Sequence, residues 1–116
     1  MTQLLQSLEQ FRQQSNSHPR IASLIKGWEP TIVVEASDTG TTRYIPVRGC
    51  RIDSIAEHSS ETRHLVHLRA KESVLADVFG GRANPASAFL DGELEIFAED
   101  KDHVKLDAIS LVLWGA

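Results

Sequence analysis

The sequence predicts a single α+β domain, residues 1–116, in which a mostly antiparallel five-stranded sheet is covered by helices. Apolar residues recur at helical spacing over residues 4–28, alternate with period two from Ile32, and return to helical spacing after residue 70. A chain of 116 residues with 41% hydrophobic and 24% charged residues has the size and composition of one globular core. Mixed elements of this kind predict helices packed on a sheet.

Two helices are predicted in the first third. The first, with Thr2 as a cap, carries an apolar stripe of Leu4, Leu5, Leu8 and Phe11. We treat this helix, residues 1–16, as a candidate peripheral element. The second begins with Ser17 as cap and Pro19 in its first turn, where the missing N–H is harmless, and ends at Gly27.

Four strands are predicted in the middle of the chain, over residues 32–36, 41–47, 50–57 and 62–70. The loops between them are short, with turn residues at 38–40, Gly49 and 58–61. Because parallel pairing requires a long crossover connection, we expect these four strands to pair as antiparallel neighbours.

The last third mixes both element types. A short helix over 71–79 ends at Gly80-Gly81, Asn84-Pro85 opens another, a fifth strand covers 93–98, and a final helix starts at Asp100 or Asp102. Apolar residues cover more than one face of that final helix, so a ligand, a partner or the sheet must cover the second face. The apolar residues of the final helix are Val104, Ala108, Leu111 and Val112 on one side, and Ile109 and Leu113 make this apolar face wider.

Composition excludes several classes. The net charge of −4 argues against a nucleic-acid partner. No apolar stretch reaches the length of a membrane-spanning helix, and contact with a bilayer through the basic region 43–71 is expected to be at most transient. One cysteine and no export signal predict a cytoplasmic protein without a disulfide.

No chemistry-bearing motif predicts an enzyme, a metal site or a cofactor. His64 and His67 lie three residues apart on a predicted strand and therefore point to opposite faces, which disfavours a shared metal. The sequence contains no Gly-x-Ser-x-Gly, phosphate-binding loop or dinucleotide fingerprint. A hydrolase that uses Cys50 or a histidine is the third-ranked alternative.

The segment from Ala70 to Ile96 resembles the sterol carrier protein type-2 domain. A short helix ends in glycine, Asn84-Pro85 opens a second short helix, and Gly92 precedes a strand of alternating apolar residues. The element order is similar from Ser17 onward, although Glu93 and Glu95 stand where family members usually carry lysine. The resemblance implies noncovalent binding or transfer of a fatty acyl, sterol-like or other lipid in a tunnel between sheet and helices, without catalysis.

The inward faces of the predicted elements supply the expected ligand lining. It comprises Val66, Leu68, Val78, Phe79, Phe89, Leu94, Ile96, Val104, Ala108, Leu111 and Val112. The alternative is a non-catalytic oligomerisation or accessory module of the same fold with no ligand, whose extra apolar faces are buried in a partner or in a homodimer.

Overall fold

The computed structural model describes residues 3–115, so the proposed Thr2 cap lies outside the described residues. Five helices and five strands occur within this range. In chain order they are α1 (Gln3–Asn16), α2 (Pro19–Leu24), β1 (Thr31–Ala36), β2 (Thr42–Arg48), β3 (Arg51–Ile52), β4 (Leu65–Ala70), α3 (Glu72–Phe79), α4 (Pro85–Leu90), β5 (Leu94–Phe97) and α5 (Asp100–Trp114). The α+β fold with five strands is therefore confirmed.

Local signals explain where several helices begin. The Asn84 side chain accepts hydrogen bonds from the backbone N–H groups of Ala86 and Ser87, at 2.8 and 3.1 Å, and so caps α4 as expected. The cap of α2 is His18, one residue later than predicted, because its Nδ1 accepts from the Arg20 N–H at 3.2 Å.

The five strands form one sheet in the order β3-β2-β1-β4-β5. The expectation that the four middle strands pair only as antiparallel neighbours is wrong for one pair, because β1 and β4 are parallel, in register from Thr31↔Leu65 to Ala36↔Ala70. The other strand pairs are antiparallel. The sheet is mixed.

The short third strand is the physical reason for this error. The predicted strand over 50–57 pairs only at Arg51–Ile52, plus an isolated bridge between Tyr44 and Ala56. The connection over 53–64 is therefore long enough to cross the sheet and place β4 on the far side of β1.

Helices cover one face of the sheet, and the core lies between the two layers. The largest fully buried side chains include Leu4, Leu8, Ile21, Ile25, Ile32, Ile45, Ile52 and Leu75. Leu4, Leu8 and Phe11 of α1 belong to this core, and the Asn16 side chain exchanges two hydrogen bonds with the Ile52 backbone, at 2.8 and 2.9 Å. Helix α1 is thus packed into the domain.

The other face of the sheet carries polar and charged side chains that contact one another in a chain across three strands. Glu35 contacts His67 at 2.8 Å and Arg69 at 3.4 Å, and Arg69 also reaches Glu95 at 3.2 Å. These side chains alternate with core residues along their strands, as period two requires. Because Arg69 is paired with carboxylates, it adds little net positive charge to this face.

Candidate functional site

A cavity of about 240 Å³ lies between the covered face of the sheet and helices α3, α4 and α5, and it is partly open to solvent. Its walls are mainly apolar. They are formed by Phe11, Ile32, Leu68, Val78, Phe79, Pro85, Ala86, Phe89, Leu90, Leu94, Ile96, His103, Leu106, Asp107, Ile109, Ser110 and Trp114.

The sheet supplies one wall through ordinary strand alternation. Leu94 and Ile96 lie two residues apart on β5 and therefore share a face, and Ile96 is the register partner of Leu68 on β4. Ile32 on β1 continues this wall. The strand pairing thus gathers the apolar side chains of three neighbouring strands opposite α5.

An aromatic group closes the wall where α1, α3 and α5 come together. The ring of Phe11 lies 5.2 Å from that of Phe79, edge to face, and 6.1 Å from that of Trp114. Trp114 packs on Gly81, where a Cβ atom would lie only 2.7 Å from the indole Cδ1. Gly81 has a φ of +74°, so both its backbone conformation and the absence of a side chain are needed here.

Asp102 fixes the start of α5 beside the cavity. Its side chain is almost fully buried, and Oδ1 accepts a hydrogen bond from Trp28 Nε1 at 2.8 Å and lies 3.1 Å from His64 Nε2. Burial tends to raise the pKa of this carboxyl, but the contacts with Trp28 and His64, with a smaller effect of Lys101, hold the pKa below its ordinary value. Asp102 is therefore a buried carboxylate that holds three segments together.

Six residues of the expected lining do lie along the cavity, namely Leu68, Val78, Phe79, Phe89, Leu94 and Ile96. Val66 is fully buried in the core outside the cavity wall. Ala108 and Val112 are partly buried and also lie outside this wall. The structure therefore brings together the expected residues of α3, α4 and β5 with Leu68 of β4, but not Val66 or the expected stripe of α5.

The inward orientation expected for Val104 and Leu111 is wrong, because their exposed fractions are 66% and 61%. Both faces of α5 are apolar in sequence, so periodicity alone cannot choose between them. Burial of Asp102 and Ile109 selects the other face. Leu106 and Ile109 consequently line the cavity, together with His103, Asp107 and Ser110, whose polarity kept them out of the sequence prediction.

The histidines do not form a metal site with their neighbours. His64 contacts Asp102 at the helix layer, whereas His67 contacts Glu35 on the opposite face of the sheet. Within residues 3–115, no three histidine, cysteine, aspartate or glutamate side chains are grouped so that they could hold a metal ion.

No helix in the same range has the length and apolar character needed to cross a bilayer.

A mixed five-stranded sheet with helices on one face and an apolar cavity between the two layers defines the fold and the candidate site. The chain belongs to the SCP-2 sterol transfer family, whose sequence pattern matches residues 8–97. This confirms the resemblance, and the family assigns the domain to lipid binding or transfer in general. Domains of this family are typically non-catalytic.

Solved structures show the same fold at low sequence identity. UbiJ-SCP2, described as a ubiquinone synthesis protein, is 13% identical over 95% of this chain and 94% of its own, with a TM-score of 0.72. Sterol carrier protein domain 2 of Helicoverpa armigera is 15% identical over 98% and 90%, also with a TM-score of 0.72. The sec-alkylsulfatase Pisa1 from Pseudomonas sp. is 14% identical over 79% of this chain but only 14% of its own, with a TM-score of 0.61. Nothing among the curated proteins matches the chain.

Proposed function

We propose that this protein binds a hydrophobic ligand noncovalently in the cavity between sheet and helices, and that it carries the ligand without catalysing a reaction. The observation that carries the proposal is the apolar cavity beneath α4 and α5. The ligand class is a fatty acyl chain, a sterol-like molecule or another lipid. Membership of the SCP-2 family supports lipid binding in general.

The cost of leaving the cavity empty supports an occupant. At roughly 24 cal/mol per Å³, a dry and fully enclosed cavity of 240 Å³ costs about 6 kcal/mol, and the cost here is smaller because this cavity is partly open to solvent. A domain of this size has a total stability of about 5–15 kcal/mol. Water is a poor filler because most of the wall offers it no hydrogen bond. A ligand that fills the cavity therefore removes apolar wall from water and stabilises the folded domain.

The ligand contacts that we propose are the six expected residues that line the cavity, joined by residues of the final helix. Leu106 and Ile109 replace Val104 and Leu111 as the contributions of α5. Phe11 and Trp114 complete the set from the aromatic group. This assignment predicts that a substitution in the cavity wall weakens ligand binding, whereas a substitution on the exposed side of α5 does not.

Native mass spectrometry of gently purified protein, followed by thermal unfolding with added lipids, tests the proposal. We expect a noncovalent adduct, or a rise in Tm with fatty acids, fatty alcohols or sterols, because a ligand of the folded state stabilises it by mass action. The proposal is overturned if no adduct is found and if the Tm does not shift with lipids of several chain lengths.

A matched pair of variants tests the cavity wall. Ile96→Trp adds a ring inside the cavity and is expected to reduce lipid affinity at least about tenfold, because the ring occupies the ligand's space. Leu111→Trp adds the same ring on the exposed face of α5 and is expected to leave affinity unchanged. Isothermal titration calorimetry gives both affinities. Equal losses in the two folded variants contradict the proposed wall.

A second candidate function is a non-catalytic accessory or oligomerisation module without a ligand. It is favoured by the exposed apolar stripe of Val104 and Leu111 on α5, and by the similarity to a part of Pisa1, in which this fold is a minor share of a longer chain. Light scattering of the wild type and of a Val104→Lys/Leu111→Lys variant distinguishes the two functions. A dimer that dissociates in the variant, with no lipid bound in either form, favours the module. A variant that keeps its lipid favours the carrier.

A further inference from the structure

The apolar cavity has one polar edge, and it lies on α5. His103, Asp107 and Ser110 are spaced by four and three residues, so they share one face of the helix and line the cavity together. His103 lies against the Phe89 ring of α4, with the centroids 5.7 Å apart. Ser110 is buried, whereas Asp107 is exposed, so the carboxylate marks the solvent side of this edge.

The charge of this edge is negative and is not compensated. Among the described residues that line the cavity there is no lysine or arginine, and Asp107 is the only carboxylate. Its carboxylate makes no hydrogen bond or ion pair with any residue from 3 to 115. It is therefore available to a ligand.

The basic side chains near the ends of this region are engaged elsewhere. Lys105 donates from Nζ to the Leu24 carbonyl oxygen at 2.6 Å, on the α2 side of α5. Lys101 pairs with Glu99 at 3.5 Å, and Arg82 pairs with Asp77 at 3.1 Å. A carboxylate at the polar end of a ligand would thus meet the charge of Asp107 without a fixed cation to offset it.

We propose that the cavity selects amphiphiles whose polar end is a hydrogen-bond donor, either neutral or cationic, and that Asp107 discriminates against lipids with an anionic end. The apolar part of such a ligand lies against the sheet wall, and its hydroxyl or ammonium donates to the Asp107 carboxylate. This inference rests on the proposed function and narrows its ligand class from lipids in general to alcohols and amines. Free fatty acids become the disfavoured class.

Three ligands with the same chain and different polar ends test the inference. Binding of 1-decanol, decylamine and decanoate to the wild type is measured by isothermal titration calorimetry at pH about 8, above the range in which histidine is ordinarily charged. We expect decanol and decylamine to bind about three- to tenfold more tightly than decanoate, the size expected for one like charge at a few ångströms near solvent. The preference is expected to weaken as salt is added.

The variant Asp107→Asn keeps the size of the side chain and removes its charge. It is expected to raise decanoate affinity about threefold or more while decanol affinity changes little. The ratio of decanol affinity to decanoate affinity therefore falls. Asp100→Asn is the matched control, since it removes a charge from the same helix at an exposed position outside the cavity wall, and it is expected to leave the ratio unchanged.

The outcomes separate this inference from the proposed function. Equal or tighter binding of decanoate by the wild type, or a ratio that is the same in Asp107→Asn, overturns the selectivity of Asp107 while leaving a lipid carrier in place. If none of the three ligands binds, and sterols and longer lipids also give no shift in Tm, the proposed function fails and the inference fails with it.

Discussion

Three segments of the chain meet at one side-chain oxygen of Asp102. Its Oδ1 contacts Trp28, which follows α2, and His64, which precedes β4, while Asp102 itself lies in the first turn of α5. The N-terminal end of the helix also favours a negative charge at this position. Removing the carboxylate leaves a buried indole N–H without its acceptor.

We expect Asp102→Ala to lower the free energy of unfolding by about 2 kcal/mol, since an unsatisfied buried donor costs about 1–3 kcal/mol. Urea denaturation at neutral pH measures this. Asp100→Ala is the control, because Asp100 lies in the same first turn but is exposed, and it should cost much less. Equal losses in the two variants would assign the effect to the helix dipole instead of the contacts.

The same carboxylate predicts a dependence of stability on pH. Since the pKa of Asp102 is lowered in the folded protein, its stabilising effect is complete above the ordinary aspartate pKa of about 3.9 and is lost as the pH falls through the lower folded value. The stability difference between wild type and Asp102→Asn should therefore shrink between pH about 5 and pH about 3. A difference that stays constant over this range would contradict a lowered pKa.

At the scale of elements, the Gly80-Gly81 turn between α3 and α4 contacts a residue of the cavity wall, Trp114. Gly81 allows the Trp114 ring to lie against the backbone, and Trp114 in turn contacts the Phe11 ring. The Gly80-Gly81 pair was identified from the sequence as a helix stop. Its packing role could not be identified, because the partner lies at the far end of α5.

Gly81→Ala is expected to destabilise the domain by about 2–3 kcal/mol, because a Cβ atom both collides with the Trp114 indole and requires a left-handed backbone. Gly92→Ala is the control. Gly92 has a similar φ of +78° but nothing within 4 Å of the added Cβ, so only the backbone cost of about 1 kcal/mol remains. Urea denaturation of both variants measures the difference in unfolding free energy. Equal losses of unfolding free energy would show that the contact between Gly81 and the indole does not contribute to stability.

Helix boundaries and turn chemistry were largely predictable, whereas the rotation of α5 was not. Asn84 and Pro85 mark the start of α4 in sequence because the cap is a local interaction. The orientation of α5 depends on a hydrogen bond from Trp28 to Asp102, 74 residues away in sequence, and no local pattern encodes it. For that reason Leu68, Leu94 and Ile96 of the strands and the expected residues of α3 and α4 lie along the cavity, whereas Val66 is buried outside its wall and Val104 and Leu111 are exposed. That the residues along the cavity contact a ligand stays a prediction.

At the scale of the whole molecule, the parallel strand pair and the packing of α1 in the core depend on contacts between residues far apart in sequence. Local sequence patterns do not predict either feature. The central strand β1 pairs with β4 across a sequence separation of 34 residues, as in Thr31↔Leu65. The loop lengths predict antiparallel neighbours because a strand over 50–57 leaves only a short loop before the fourth strand, whereas the third strand pairs only at Arg51–Ile52. Leu4, Leu8 and Phe11 of α1 also belong to the main core, although the sequence left this helix as a candidate peripheral element.

Leu8→Ala tests the place of α1 in the core. Leu8 is fully buried, so the variant is expected to lose about 2–5 kcal/mol of unfolding free energy through lost apolar contacts and a residual cavity. Gln6→Ala, at an exposed position of the same helix, should change stability by less than about 0.5 kcal/mol. Urea denaturation gives both values. If Leu8→Ala loses little unfolding free energy and the rest of the domain unfolds as in the wild type, α1 does not belong to the core.

The two tryptophans of this chain lie in different surroundings, and this separation gives the protein two internal optical probes. Trp28 is buried against the Asp102 carboxylate, away from the cavity wall, so its emission follows the intactness of the fold. Trp114 lies on the cavity wall, so its emission responds to what enters there. A ligand that enters the cavity is therefore expected to change the emission of Trp114 and to leave that of Trp28 unchanged, whereas unfolding changes both, without any added dye.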